Sequence, residues 1–342
     1  MRVLQSMAGA QHGGAEAFFV RLAIALHNTG LEQRVVIRRN PDRAAQLSAA
    51  GVAPRQLRYG GPLDLLTRLS LSQEIRRFRP DIVLSWMSRA ASFAPNGGRR
   101  YSHIGRLGGY YDLKYYRTCD HLIGNTPGIV AHIVESGWPA ERASYVPNFV
   151  SAASASPVSR SNLSTPRSAR VVLALGRYHE NKAFDVLLRA ARMLPDVYVW
   201  LLGDGPLAAD LKEQAVASGI APRVRFLSWA ADPAGYYAAA DLVVCPSRWE
   251  PLGNVVLEAW AQRRPIVAAA SAGPQHLIDD GRNGLLVPID DANALADAIH
   301  RVLGDSDLAD RLAEGGWDSY QADYSESKVV ARYMELFRTV RP

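Results

Sequence analysis

Residues 241–260 read DLVVCPSRWEPLGNVVLEAW. Leu242–Cys245 is a wholly apolar run between Asp241 and Pro246, the pattern of a parallel strand buried on both faces. A loop from Pro246 to Gly253 follows, and a helix is expected from Asn254 to about Gln262. Two carboxylates bracket the turn. Glu250 lies in the loop, and Glu258 lies a little over two helical turns further on. Gly253 allows backbone to come close to a ligand. The N–H groups of Asn254 and Val255 are among the donors that a helix start leaves without partners. Such an end favours an anion, and a phosphate fits it. Carboxylates cannot bind phosphate, but they accept hydrogen bonds from hydroxyls. The stretch therefore suits a polyhydroxylated phosphate ester such as a nucleotide sugar. The same spacing also fits a solvated Glu250 and a Glu258 on the outer side of its helix.

Upstream, ARVVLALG restarts a pattern that runs through the second half of the chain. Strands are expected at 170–175, 197–202, 223–228, 242–245, 265–269 and 285–287, with helices between them. The first half alternates in the same way. RVLQSM (2–7) is a strand, followed by Gly9, Gly13 and Gly14 in a turn. A helix then runs from about Ala15 to Asn28, with Phe18, Leu22, Ala25 and Leu26 on one face. Further strands are VVIR (35–38), DIVLSWM (81–87), SHIGRLG (102–108) and HLIGNT (121–126). Helices are LDLLTRLSLSQEIRRF (63–78), a piece at 89–94 and one ending near Glu135. Alternation of this kind gives a parallel sheet covered on both faces. The first glycine turn is no dinucleotide fingerprint, because its spacing is G-x-x-x-G-G and the second strand ends without an acid.

Residues 151–169, SAASASPVSRSNLSTPRSA, break the alternation with seven serines and two prolines. They read as a flexible linker. The expected organisation is a Rossmann-like domain at 1–150, the linker at 151–169, a second Rossmann-like domain at 170–325 and a C-terminal helix at 326–342. The fold class is α/β: two Rossmann-like domains facing across a cleft, where ligands settle. The last helix is amphipathic through Val329, Tyr333, Leu336 and Phe337, as needed to pack back on the first domain.

The chain has 342 residues, 48% of them apolar and 21% charged, a composition of folded soluble domains. Cys119 and Cys245 both end apolar runs and suit a reducing compartment. No apolar run reaches 18 residues. Glu16 and Arg21 interrupt the first helix, so no signal peptide is expected. The net charge is +6 but uneven. Residues 1–150 hold 19 Lys and Arg against 10 Asp and Glu, whereas residues 151–342 hold 20 against 23. A basic first half suits an anionic partner, or simply solvated arginines. RRFRP (76–80) and GGRR (97–100) are its densest basic spots.

GRYHENKAF follows the strand VVLAL and places Arg177 and Lys182 at its carboxyl end. Two cations there suit a diphosphate, with Arg offering parallel hydrogen bonds and Lys a point charge. The alternative is a Lys182 that closes a turn and a solvated Arg177. Ser228 and Trp229 end the next strand but one, placed to flank a base or, for the tryptophan, to fill the core. DSD (305–307) reads as a helix cap rather than a metal motif. The eight histidines show no metal-ligand spacing, and no P-loop or nucleophile elbow is present.

With GGAE near the start, GRYHENK in mid-chain and EPLGNVVLE late, the sequence resembles the GT-B glycosyltransferases of glycosyltransferase family 4. The resemblance covers nearly the whole chain, and E-x7-E followed by RRPIVAAASAGPQHLIDDGRNGLLV is its most specific part. It implies that Glu250 contacts the donor sugar and acts in catalysis, and that Glu258 contacts ribose hydroxyls. Asn254 and Val255 would give backbone N–H groups to the diphosphate beside Gly253. Arg177 and Lys182 would hold the same diphosphate, and Gly13 and Gly14 would lie against it. It implies a metal-independent retaining enzyme without a cofactor, its donor most often a UDP-sugar. Two positions depart from the family pattern: Ala183 replaces the glycine after the lysine, and the histidine usual after the fifth strand is missing from HIGRLGGYYDLKYY. Asp112 is the nearest replacement and His103 the second.

The resulting expectation is a cytoplasmic enzyme, peripheral at the inner face of the membrane, that glycosylates a glycolipid or saccharide in lipopolysaccharide or other cell-surface glycan assembly. Its partners are the nucleotide-sugar donor, that acceptor and an anionic membrane surface, with no nucleic acid. Two rivals share the architecture. A hydrolysing nucleotide-sugar 2-epimerase would need no acceptor, and a non-catalytic sugar-nucleotide binding module would bind donor without turnover.

Overall fold

The computed structural model describes every residue except His12, Pro62, Ala231, Arg341 and Pro342. The chain forms two compact units, Met1–Phe149 with Glu326–Pro342, and Val150–Ser325. In the first, the elements run β1 (Arg2–Met7), α1 (Gly14–Asn28), β2 (Glu32–Arg38), α2 (Pro41–Ala49), β3 (Pro54–Leu57), α3 (Leu65–Phe78), β4 (Ile82–Trp86), α4 (Met87–Phe93), β5 (Ser102–Leu107), β6 (His121–Gly124), α5 (Pro127–Glu135) and β7 (Ala143–Tyr145). In the second, they run β8 (Arg170–Leu175), α6 (Phe184–Arg192), β9 (Val197–Leu202), α7 (Ala208–Ala217), β10 (Val224–Leu227), α8 (Ala234–Ala239), β11 (Leu242–Cys245), α9 (Asn254–Ala261), β12 (Ile266–Ala269), α10 (Ala272–Leu277), β13 (Leu285–Val287), α11 (Ala292–Gly304) and α12 (Ser306–Ser319). The last helix, α13 (Glu326–Thr339), returns to the first unit.

Both sheets are parallel. The first has the order β3-β2-β1-β4-β5-β6-β7 and the second β10-β9-β8-β11-β12-β13. Their central strands are the apolar runs of the sequence: β4 and β11 are buried at every position. Three elements lack such a signal. The edge strand β3 buries only Leu57, and the other edge strand, β7, buries nothing. A strand with one neighbour and a wet face does not need an apolar run. The unread helix α2 has local cues: Asn40 caps it by accepting from Arg43 N, and Pro41 opens it. Asp305 caps α12 by accepting from Leu308 N, so DSD is a helix start.

The serine-rich segment is not a loose tether. The Arg160 guanidinium donates to Ala239 O at 2.7 Å and to Asp241 Oδ1 at 2.8 Å. Trp200 Nε1 donates to Thr165 Oγ1 at 3.1 Å, and Thr165 is buried. Its composition carries few apolar groups, but these polar anchors fasten it to the second sheet, and the boundary between units falls at Phe149–Val150.

α13 docks as its amphipathic pattern requires. Val329, Val330, Tyr333, Leu336 and Phe337 are buried in one cluster with Phe18, Leu22 and Leu26 of α1. Arg106 of β5 is 1% exposed, between the rings of Phe18 and Trp86 at 4.8 and 4.6 Å. Its Nε donates to the Tyr333 hydroxyl at 2.8 Å, and it also donates to Asn148 Oδ1. Two aromatic faces and two oxygens thus take the place of water around a buried cation.

His103 is fully buried and bonded to Ser85 Oγ at 2.8 Å and to Thr118 O at 3.0 Å. It is a core group rather than a residue that meets a substrate, which removes it as the second candidate for the missing family histidine. Burial holds its pKa down at about 4. The unfolded chain takes up that proton near pH 6.5 whereas the folded unit does not. Stability is therefore complete above about pH 6.5 and falls towards pH 4, His103 contributing on the order of 3 kcal/mol. Urea midpoints at about pH 7 and pH 4.5 should differ, and His103→Gln should narrow the difference; a variant with the wild-type pH profile would refute this origin.

Candidate functional site

Parallel pairing sends every strand of the second sheet out at one edge. The loops there are 176–183 after β8, 203–207 after β9, Ser228–Trp229 after β10, 246–253 after β11 and 270–271 after β12. Close backbone approach holds the first two together. A Cβ on Gly203 would stand 2.0 Å from Gly176 O, and Tyr178 N donates to Asp204 O at 2.9 Å. Gly176 also makes room for Lys182, whose Cε would lie 3.1 Å from a Cβ there.

Lys182 Nζ pairs with Glu250 Oε2, both side chains being largely buried. Burial alone would lower the lysine pKa, but the Glu250 carboxylate, helped by Cys245 and Glu258, outweighs it and leaves it raised. The lysine is therefore a fixed cation. Glu250 Oε1 also accepts from Gly253 N at 3.2 Å, so this carboxylate shapes its own loop. Gly253 adopts φ 82°, a left-handed conformation suited to glycine, and α9 starts after it. The first helical bonds run from Val256 and Leu257 N to Gly253 O, so Asn254 and Val255 N–H lie ahead of them. Glu258 Oε2 accepts from the Tyr237 hydroxyl at 2.8 Å. Tyr237 is buried, and burial with the neighbouring Glu258 pushes its pKa well up, so it remains a donor.

Lys182, Glu250, Gly253, Asn254, Val255 and Glu258 thus belong to one continuous site within the second unit. Arg177 is exposed at the start of the same loop as Lys182. Ser228 and Trp229 are exposed at the same edge, and Trp229 at 66% cannot be a core residue. Three groups here were invisible to sequence reading. Arg248 pairs with Asp185 at 2.7 Å and Asp290 at 2.5 Å and donates to Glu180 O at 2.9 Å, locking two loops together. Tyr237, the partner of Glu258, is hidden among the apolar residues of α8. Ser271 is buried with its hydroxyl unpaired among the described residues, beside Gly273, whose N–H donates to Glu250 O at 2.7 Å.

Gly13 and Gly14 are exposed at the start of α1, at the carboxyl edge of β1. The turn is built around Glu16. Its Oε1 accepts from Ala10 N at 2.7 Å, and a Cβ on Gly9 or Gly13 would come within 2.4 or 2.3 Å of its oxygens. These two glycines make room for a side chain of this chain, a role the sequence reading did not assign. Asp112 caps the turn Leu113–Tyr116 by accepting from Lys114 N at 2.9 Å, and it pairs with Lys114 Nζ at 2.7 Å. Those contacts lower its pKa, so at neutral pH it is an acceptor only. It borders an open pocket of about 550 Å³ with Tyr110, Tyr111, Lys114, Arg117 and Trp138.

The geometry gives two expectations. Lys182→Met should weaken binding of a nucleoside diphosphate by more than about tenfold, since a charge-assisted bond is lost and Glu250 is left without its cation. Tyr237→Phe should weaken it by several-fold, through a less constrained Glu258. Titration calorimetry on both variants decides; unchanged affinity in Lys182→Met would remove the lysine from the site.

Comparison with known proteins identifies the family. Residues 12–154 match the family described as Glycosyltransferase Family 4, and residues 169–305 match Glycosyl transferases group 1. The chain is 39% identical over 328 residues to the lipopolysaccharide core biosynthesis glycosyltransferase LpsE of Rhizobium meliloti, covering 95% of each chain. It is 35% identical to LpsD of the same organism, covering 98% of each. Among solved structures, Anabaena Alr3699/HepE in complex with UDP superimposes with a TM-score of 0.86 at 20% identity, over 99% of this chain and 100% of that one. The chain belongs to glycosyltransferase family 4, and it is a glycosyltransferase with the GT-B fold.

Proposed function

We infer that this enzyme transfers a sugar, with retention of anomeric configuration, from a UDP-sugar to a saccharide or glycolipid acceptor in the assembly of a cell-surface glycan. The observation that carries the donor half is the Lys182–Glu250 pair at the start of α9, with Glu258 eight residues on. Lys182, Arg177 and the N–H groups of Asn254 and Val255 meet charge as it develops on the leaving diphosphate, preorganised rather than recruited from solvent. Glu250 orients the sugar by accepting its hydroxyl hydrogens. Glu258, steadied by Tyr237, accepts from the ribose. The base stacks near Ser228 and Trp229.

The acceptor hydroxyl attacks from the face the diphosphate leaves, and a phosphate oxygen or Asp112 takes its proton. No metal or cofactor has a part in this scheme. The acceptor half is supported by the pocket beside Asp112. Tyr110 and Trp138 offer rings to sugar faces, and Lys114 and Arg117 offer charge to an acidic or phosphorylated saccharide. The two relatives named for lipopolysaccharide core biosynthesis point the same way.

A thermal-shift panel of UDP, GDP, ADP, CMP and dTDP tests the donor. At 100 times its dissociation constant a ligand adds about 2.7 kcal/mol, an easily read shift. UDP should stabilise the wild type and leave Glu258→Ala unmoved. A shift from another nucleotide alone would replace the base, and no shift from any would overturn the assignment of this site.

A further inference from the structure

The buried face of α3 is complete with Thr67, Leu71, Glu74, Ile75 and Phe78. Four more leucines at its start contribute nothing to that face. Leu63, Leu65, Leu66 and Leu69 are 91, 65, 66 and 68% exposed. Leu65, Leu66 and Leu69 are neighbours across one helical turn, so they form one ridge. Isolated surface leucines are ordinary, but a cluster this exposed is a contact surface.

The stretch of chain that carries the ridge is strongly basic. Residues 55–100 contain nine arginines and three acids, a net of +6 that equals the net charge of the whole chain. All three acids are committed internally. Glu74 pairs with Arg55, Asp64 accepts from Thr67 N and Gly60 N to cap α3, and Asp81 accepts from Arg2 N. Arg58, Arg76, Arg77, Arg89, Arg99 and Arg100 are exposed and form no ion pair among the described residues. Side-chain contacts bring part of this charge to the ridge. Arg89 donates to Tyr59 O at 3.3 Å, and Arg68 lies over the Phe93 ring at 4.7 Å and donates to Ser92 O at 2.9 Å.

We propose that the leucine ridge at the start of α3, with Arg58, Arg68 and Arg89 beside it, docks the first unit on an anionic lipid surface. A headgroup layer matches both halves of the feature. Leucine side chains enter the acyl boundary without needing a shaped partner, and guanidinium groups stay at the level of the lipid phosphates. A nucleic acid would satisfy the arginines and leave the leucines unexplained. No helix of the described residues is long and apolar enough to cross a membrane, so this would be contact from one side. The inference deepens the function proposed above and rests on its lipid-linked acceptor for a purpose, because docking would bring the first unit to that substrate.

The test uses the full chain and flotation with vesicles, no donor or acceptor being present. Wild type should bind vesicles of phosphatidylglycerol and phosphatidylcholine at least about tenfold more tightly than pure phosphatidylcholine, and lose most of that binding in about 0.5 M salt. Leu65→Ser, Leu66→Ser and Leu69→Ser together should weaken it at least about tenfold, with the thermal melt and its nucleotide shift unchanged. Arg58→Ala with Arg89→Ala should weaken binding to anionic vesicles and flatten the salt dependence. Wild type that ignores anionic vesicles, or a leucine variant that binds like wild type, would overturn the proposal. So would light scattering that shows a wild-type dimer and a monomeric leucine variant, since the ridge would then serve a second copy. The nucleotide shift is read separately, so loss of docking leaves the donor reading standing, and the reverse.

Discussion

Parallel strand pairing is the constraint on which everything else depends. A parallel strand cannot pair with its predecessor through a tight turn and must return by a crossover, usually a helix laid on the sheet. Every strand of one sheet therefore leaves at the same edge, with its loop facing the same way. In the second unit this collects an arginine, a lysine, a helix start and two glutamates that lie up to about eighty residues apart in sequence. Two glycines then decide how tightly the edge closes. A side chain at Gly203 would run into Gly176 O, so the loop carrying Lys182 could not lie where it does.

The electrostatics follow from that closure. Lys182 and Glu250 are taken out of most of their water together, and each compensates the other. Such a pair adds little to stability, because desolvation offsets much of the attraction. Its value lies in placement. Arg248, tied to Asp185, Asp290 and Glu180 O, clamps the loop that carries Glu250 against the loop that carries Lys182. Charges held this way do not have to reorganise when a reaction moves charge past them.

Much of this was legible in the sequence, for a physical reason. A strand buried on both faces is apolar at nearly every position, so β4, β8 and β11 announce themselves. Helices that cover a sheet must be apolar on one side, so α1 and α13 do too. The edge strands β3 and β7 are half wet and left no mark. Of the site, residues whose type already states a chemistry were readable: Lys182 and Glu250 in loops, Glu258 two turns into a helix, and the glycine before that helix. Their supports were not. Tyr237 looks like any core aromatic until Glu258 is seen against it, and Glu16 looks like an ordinary first-turn acid until its carboxylate is found filling the glycine turn. The serine-rich segment misled because composition reports the lack of a core, whereas Arg160 and Thr165 hold it through hydrogen bonds that composition does not show.

The discontinuous first unit also sets an order of events in synthesis. A ribosome releases residues 1–149 first, but their apolar core lacks the side chains of Val329, Tyr333 and Phe337, and Arg106 lacks the hydroxyl it donates to. Residues 150–325 form a contiguous unit and need nothing from further along the chain. The half of the enzyme made first is thus finished last, after the other half is complete. Until α13 emerges, the nascent chain exposes the apolar groove of α1 that this helix will cover, which makes it the natural place for a chaperone to hold the chain.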